Sequence, residues 1–459
     1  MDKLKYITIS FIVIYTIAAI LVSVNRYWQY QTYYFDFGIF DVALWKVSRF
    51  QPPLVDHVDF GDKEILILGD HFSPSIFLLA PLYWLTDRRE IILIAQAAVV
   101  ALASFIVLHL ASKSVKNKLI PLALVVAFLG YVGTQNALIS DFHQDTVAVL
   151  PLMLIFWAIF KRSWKLYFLF LFILLGFKES FAGIGMALGL FLLIRNRADF
   201  KIGLATIIVS IFWAVLVVKY AIPYFSGTYL YTPKELPTTI NEIISRFVTP
   251  LRLKAIFYTF LTFGFLPIFD LSILPGVFDN YFERFVISDR GSDLGMHYNA
   301  TLAPFMFMGA LYTFILLERK FNQKIVSVLA LAIILIVLIL HRFIIHGPLG
   351  LAYNKVFYEQ NQRVRYVDEF VANFPKNGLI MTQNDLAVRL THQNVKLLRK
   401  EYKLINPDYV ILNLTPGQNP NSFFPLTYQK TQELKEELSL NNSYILKKYA
   451  DELYLFSKK

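Results

Sequence analysis

Cysteine is absent from the 459 residues, which removes disulfides, thiolate nucleophiles and cysteine-ligated zinc or iron–sulfur centres. Charge is scarce as well. Asp, Glu, Lys and Arg together make 17% of the chain, where soluble globular domains carry about 25%. The sequence has no glycine-rich phosphate loop, no Walker sequence, no HExxH pair, no internal repeat and no low-complexity tract, so nucleotide chemistry and the familiar zinc-hydrolase arrangement have no signature in it. What fills the chain is apolar: 56% of residues are hydrophobic and 16% aromatic. They fall in recurring runs near 20 residues, about the length that crosses the hydrocarbon core of a bilayer. An ordinary soluble enzyme is excluded, and a polytopic α-helical membrane protein is expected.

The placement of charge sets a topology. Lys and Arg number 44 against 33 for Asp and Glu, and the basic residues sit mostly between apolar runs, facing anionic lipid rather than nucleic acid. Eleven spans are predicted, at roughly 5–24, 91–111, 119–136, 145–160, 163–177, 181–194, 201–222, 252–266, 267–280, 299–317 and 325–345. The first, with Lys3 and Lys5 at its flank and no small-residue cleavage pattern after it, reads as uncleaved. With the N-terminus on the cytoplasmic side, the loops holding Lys113, Lys116 and Lys118, then Lys161, Arg162 and Lys165, then Arg195, Arg197 and Lys201, then Arg319, Lys320 and Lys324 all fall inside. Residues 71–86 read as interfacial, because Pro74 and Pro81 stand near their ends and Tyr83-Trp84 closes them. Residues 25–90 become one long outer loop of a membrane domain, 1–349. From 350 to 459 the composition is mixed and charged, which predicts a small extracytoplasmic α/β domain: helices over 355–374 and 429–440, buried strands over 378–382 and 409–413.

Five polar clusters need a reason in so apolar a chain, since an unpaired charge near hydrocarbon costs several kcal/mol. They are Asp36 to Asp41 with Trp45 nearby; Asp70-His71; Asp141-Phe142-His143-Gln144-Asp145; Lys178-Glu179; and Asp293 with His297-Tyr298. Three of them have a plain structural reading. Asp36 would cap a helix over 36–49 with Trp45 turned to the bilayer surface, Asp70 would cap the interfacial segment, and Lys178-Glu179 would be an ion pair at a helix break. The topology nevertheless puts all five on the outer face. A shared outer cavity accounts for that. Acidic residues there suit a base for a hydroxyl nucleophile or ligands for a divalent cation, and Lys178 with the histidines suits the neutralisation of a phosphate. No cofactor is fixed by the sequence. His71, His143 and the nearby Asp residues leave a metal open, without a recognisable ligand spacing.

The residues also carry a resemblance. Asp36-Phe37-Gly38-Ile39-Phe40-Asp41 with Trp45, His71-Phe72-Ser73-Pro74 followed by Pro81-Leu82-Tyr83, Asp141-Phe142-His143, Lys178-Glu179 and His297-Tyr298 resemble the predicted integral membrane family called domain of unknown function 2079. Phe374-Pro375-Lys376-Asn377-Gly378 and Pro407-Asp408-Tyr409-Val410 are similar to that family's ending. The family in turn resembles the GT-C glycosyltransferases, multi-span enzymes that use polyprenyl-phosphate sugars and place an acid of the first outer loop in the active site. The resemblance implies Asp36, with Asp41 second, as the catalytic carboxylate. From the outer-face clusters themselves, His71, Asp141, His143, Lys178, Glu179, His297 and Tyr298 are the candidate substrate- and phosphate-binding residues. Some relatives have a Lys-Gly-Pro turn where Lys178 stands, whereas Glu179-Ser180 follows it in this chain.

The expected function is an integral-membrane glycosyltransferase that moves a sugar from a polyprenyl-phosphate lipid to an acceptor at the outer face. The alternative is a transporter or flippase for a lipid-linked or polar solute, which predicts related halves and midplane charges. Neither feature is present in the sequence. A plain membrane anchor needs only one or two spans. Asn299-Ala300-Thr301, Asn413-Leu414-Thr415 and Asn441-Asn442-Ser443 match glycosylation acceptors, a pattern common by chance.

Overall fold

A computed structural model describes residues 3–232, 235–287, 297–359, 362–450 and 452–459 of the chain. The chain is mostly helical, and five helices among the described residues are long and apolar enough to cross a membrane: Lys3–Trp28, Glu90–Ser114, Arg197–Ser226, Tyr298–Lys320 and Gln323–Ile345. Leu119–Leu129 and Val132–Ile139, bent by 48°, make a sixth if counted as one span. The outer surface of these helices fits hydrocarbon rather than water. In Arg197–Ser226, Ile208 and Phe212 are 58% and 65% exposed, and Val328 of Gln323–Ile345 is 64% exposed.

The sequence predicts eleven crossings, and the difference lies in breaks that hydropathy does not register. Trp164–Leu175 has 12 residues, about 18 Å of helix, too short to cross upright. It stops at Gly176, and a second short apolar helix, Phe181–Arg195, begins just beyond Lys178-Glu179. Between 250 and 282 the apolar residues form a 12-residue helix, two single turns and a 9-residue helix rather than two spans. The bent pair has an identifiable cause. Gly130 faces Val337, whose Cγ1 would lie 2.1 Å from any added Cβ, and Tyr131 turns extended. The carbonyl of Gly130 accepts the side-chain amide of Gln135 at 2.6 Å, as hydrocarbon requires of freed backbone.

The chain forms two compact units, one of residues 1–23, 71–76 and 93–354, the other of 24–70, 77–92 and 355–459. In the first unit, helix Val132–Ile139 packs against the short turn His297–Thr301 through Gly133. A Cβ there would fall 2.6 Å from the carbonyl carbon of Asn299 and 2.7 Å from its oxygen. Backbone cannot rotate away from such a clash. Gly133→Ala is therefore expected to cost about 1–3 kcal/mol through overpacking. It should lower the thermal unfolding midpoint in detergent, while Gly350→Ala, with nothing within 4 Å, leaves it unchanged.

The second unit is built on two sheets. Strands β1 (Leu54–Asp56) and β2 (Glu64–Leu66) form an antiparallel pair. Strands β3 (Ile380–Thr382), β4 (Val395–Leu397), β5 (Tyr409–Asn413), β6 (Tyr444–Ala450) and β7 (Leu453–Lys458) form a mixed sheet in the order β4-β3-β5-β7-β6, its first three strands parallel. Alternation decides its two faces. Ile380, Leu397 and Ile411 point to a core shared with Val364, Val367 and Phe370 of helix Gln362–Ala372, and with Tyr34, Ile39, Val42 and Val55 from the first loop. Met381, Val410 and Leu412 point the other way, to Leu434 and Leu438 of helix Tyr428–Leu440. At the outer side of β4 the Leu397 N–H donates to Asp56 at 2.9 Å, and Arg399 pairs with the same carboxylate at 2.5 Å, so the β1–β2 region covers that sheet edge.

Candidate functional site

Asp36 does not cap the helix that follows it. The helix is Ile39–Ser48, Gly38 stands at its N-cap position, and no side chain caps it. Tyr34–Gly38 instead forms a π-turn: the Gly38 N–H donates to the Tyr33 carbonyl at 3.1 Å, and Ile39 N–H donates to Tyr34. Wide turns of this kind cost hydrogen-bond geometry and concentrate at functional sites. The sequence accommodates it at Gly38, where a Cβ would lie 2.7 Å from the Tyr34 ring. Tyr34 and Phe37 are buried on either side, Phe37 edge-on to Tyr27 at 6.0 Å, and Asp36 between them stays exposed. Among the described residues its carboxylate has no hydrogen-bond or ion-pair partner. Protein crowding on its remaining sides removes solvent from the charged form and pushes its pKa up to about 6.

Asp41, five positions on, has the opposite surroundings. It is wholly buried, and its oxygens accept from the Tyr83 and Thr391 hydroxyls. Arg89 Nε lies 3.7 Å and His392 Nε2 3.2 Å away. Burial alone would raise its pKa, but His392, Arg89 and Thr391 outweigh that and hold it below the ordinary carboxylate range. Burial lowers the pKa of His392 in spite of Asp41. Trp45, expected at the bilayer surface, stacks on the His392 ring at 4.8 Å and 14°. Asp41 thus ties helix Ile39–Ser48 to residues 83–89 and 391–392, with no face open to a substrate.

The other candidates lie in the first unit. His71 is not a bare surface histidine: its Nδ1 lies 2.8 Å from Glu179 Oε1, and its ring stacks on Tyr231 at 4.3 Å. Tyr229 donates to the same Glu179 oxygen at 3.3 Å. The helix break that carries Lys178-Glu179 is held by Ser75, whose N–H donates to the Gly176 carbonyl at 2.8 Å. Burial opposes the charge of Lys178, but Asp145 at 3.6 Å, Tyr298 and Glu179 outweigh it and raise its pKa, so the ammonium stays positive. It lies 5.2 Å from the centre of the Tyr298 ring. None of its N–H donors reaches hydrogen-bond distance of an acceptor among the described residues. Glu179 is held below the usual carboxylate range by His71 and Lys178, against its burial.

Asp141 and His143 are buried on the segment 140–143, which Gln96 tethers. Its side chain accepts from the His143 N–H at 2.9 Å and donates to the Ala137 and Asp141 carbonyls. His297 opens the turn His297–Thr301, with its side chain outside the described residues, as is all of Asp293. Among the described residues no group of three or more His, Asp or Glu side chains is arranged to hold a metal ion. Thr391, His392, Arg89 and Tyr231 are not legible in the sequence, because nothing local marks them: Thr391 meets Asp41 across 350 positions.

No curated protein matches the sequence. Among solved structures the fold is similar to that of ArnT from Cupriavidus metallidurans, crystallised bound to undecaprenyl phosphate. The TM-score is 0.58, over 99% of this chain and 98% of that one, at 9% identity. Residues 26–455 match the family described as predicted membrane protein (DUF2079), and the chain belongs to that family of membrane proteins.

Proposed function

We propose that the protein is a membrane glycosyltransferase that takes its sugar from a polyprenyl-phosphate lipid at the extracytoplasmic face, with Asp36 as the general base. The single observation that carries this reading is Asp36 itself: an accessible carboxylate in a π-turn, without a partner among the described residues, with a pKa near 6. A base tuned toward neutrality is what proton abstraction from a hydroxyl at physiological pH asks for. The fold likeness to a protein crystallised with undecaprenyl phosphate supports a donor of that lipid class. In the step, the acceptor oxygen bonds to the anomeric carbon as the bond from that carbon to the phosphate oxygen breaks. The electron pair stays on the lipid phosphate and the acceptor proton goes to Asp36. In the first unit Lys178, charged and with N–H donors to spare, suits the binding of a lipid phosphate, as does His71. Residues 350–459 are assigned to the extracytoplasmic side with this reading.

The purified protein, given a polyprenyl-phosphate sugar, is expected to release polyprenyl phosphate and glycosylate an acceptor. Lys178→Gln should raise the donor KM at least tenfold with a smaller change in kcat. Native mass spectrometry reads the same point: the wild-type protein should retain a lipid phosphate through gentle extraction and the variant should lose it. Solute uptake into proteoliposomes without any glycosyl product would replace this reading with transport.

A further inference from the structure

The turn that presents Asp36 does not hold itself. In Tyr34–Gly38 the first backbone N–H groups have no partner within the turn, as at the start of any helix. One of them, from Phe35, donates to Asn384 Oδ1 at 2.9 Å. Asn384 is 3% exposed and opens the helical turn Asn384–Ala387, two residues after strand β3, an interior strand of the sheet. Its Nδ2 donates to the Asn421 carbonyl at 3.0 Å. The two partners fix the amide orientation, because the Phe35 N–H can meet only the oxygen and the Asn421 carbonyl only the NH2 group. The Phe35 ring is held between His57 at 5.0 Å and Phe424 at 4.6 Å, and the helical turn Asn384–Ala387 packs on Tyr34–Gly38.

We infer that Asn384 is a positioning residue for Asp36: from the carboxyl end of β3 its side-chain amide pins the π-turn at Phe35, so that the carboxylate next in sequence points to the reactants. The inference rests on the reading of Asp36 as the base. It gives the C-terminal sheet a part in the reaction, since the carboxyl end of the interior strand β3 supplies the hydrogen bond that orients the acid. Asn384→Ala removes that acceptor from the half-buried Phe35 N–H. Asn384→Asp keeps the acceptor for Phe35 and turns its second oxygen, in place of a donor, to the Asn421 carbonyl.

The absence of cysteine makes the test direct. In Asp36→Cys, a nitroxide on the single thiol of the detergent-purified full chain reports the turn by electron paramagnetic resonance. The line shape should be restricted, become mobile when Asn384→Ala is added, and be largely restored by Asn384→Asp. A nitroxide on Phe50→Cys, 89% exposed in the same unit, should not respond. With Asp36 in place, Asn384→Ala should lower kcat tenfold or more with the donor KM unchanged. It should also move the acid limb of the pH–rate profile from about 6 toward the ordinary value near 3.8, as the loosened carboxyl gains water. An unchanged line shape at position 36 in Asn384→Ala overturns the inference whatever the transfer assay gives, and so does a response of equal size at position 50. If the line shape changes as expected but the wild-type protein transfers no sugar, the pinning stands and the role of Asp36 falls. Where Asn384→Ala does not purify, Asn384→Ser, whose hydroxyl cannot reach both partners, takes its place with the same outcomes.

Discussion

Asp36→Asn is expected to lower the rate of sugar transfer by about 10²–10⁴-fold, the usual worth of a positioned general base, while the protein inserts and unfolds as before. The substitution is isosteric and removes only the capacity to take a proton. The same side chain predicts the pH dependence of the wild-type rate: with a pKa near 6, transfer should rise with pH through that value and level off above it. Stability moves the other way. A carboxyl whose folded pKa is raised above its unfolded value contributes stability that is present below about pH 4 and is lost as pH rises through 6. At neutral pH the charged form of Asp36 therefore opposes folding, and Asp36→Asn should leave the thermal midpoint unchanged or slightly higher. A variant both inactive and clearly less stable would mean that Asp36 holds the turn rather than serving the reaction. Retained transfer would remove it from the mechanism.

Asp41→Ala should do the reverse. It breaks a buried arrangement in which one carboxylate meets Tyr83, Thr391, Arg89 and His392, and stranding the partners of a buried charge costs about 3–5 kcal/mol. The expected result is a large fall in the unfolding midpoint, with loss of transfer following loss of structure. The pH dependence of wild-type stability checks the same feature. Asp41, with a lowered folded pKa, contributes stability present above about pH 4 and lost as pH falls through its folded value. His392, also lowered, is protonated more readily when unfolded, so the unfolded chain gains as pH falls below about 6.5. Both act in one direction and Asp36 acts in the other, so the difference between variant and wild type is what reads Asp41: below pH 4 thermal unfolding in detergent should depend less steeply on pH in Asp41→Asn.

These two aspartates mark how far the sequence could be read. The membrane class was legible, because apolar runs and basic loops follow from bilayer thickness and surface charge, which act locally along the chain. The number of full-length helices was not. Gly176 and Gly130 stop helices inside apolar stretches, and hydropathy is nearly blind to such breaks. Strands Ile380–Thr382 and Tyr409–Asn413 stood out as short apolar runs, whereas Tyr444–Ala450 and Leu453–Lys458 mix lysines with aromatics and gave no clear period. Asp36 could be singled out by composition and position, but its π-turn could not, since that depends on a glycine fitting against Tyr34 and on an amide from Asn384, 349 residues away. Asp36 and Asp41 look alike in sequence. Only packing separates an exposed carboxylate without a partner from a buried one with four.

The second unit is assembled from two ends of the chain, with most of the first unit's residues encoded between them. That arrangement dictates an order of events during synthesis. Residues 24–70 emerge early, yet Tyr34, Ile39 and Val42 have no sheet to lie on until strands β3, β4 and β5 have been made. At about 5–20 residues per second, the roughly 350 residues between Asp41 and Thr391 correspond to a wait of about 20–70 s. A ribosome that stalls before β3 leaves a protein with its spans inserted and its proposed catalytic turn unformed. Synthesis of strands β3, β4 and β5, rather than entry into the bilayer, is thus the step after which this turn can form.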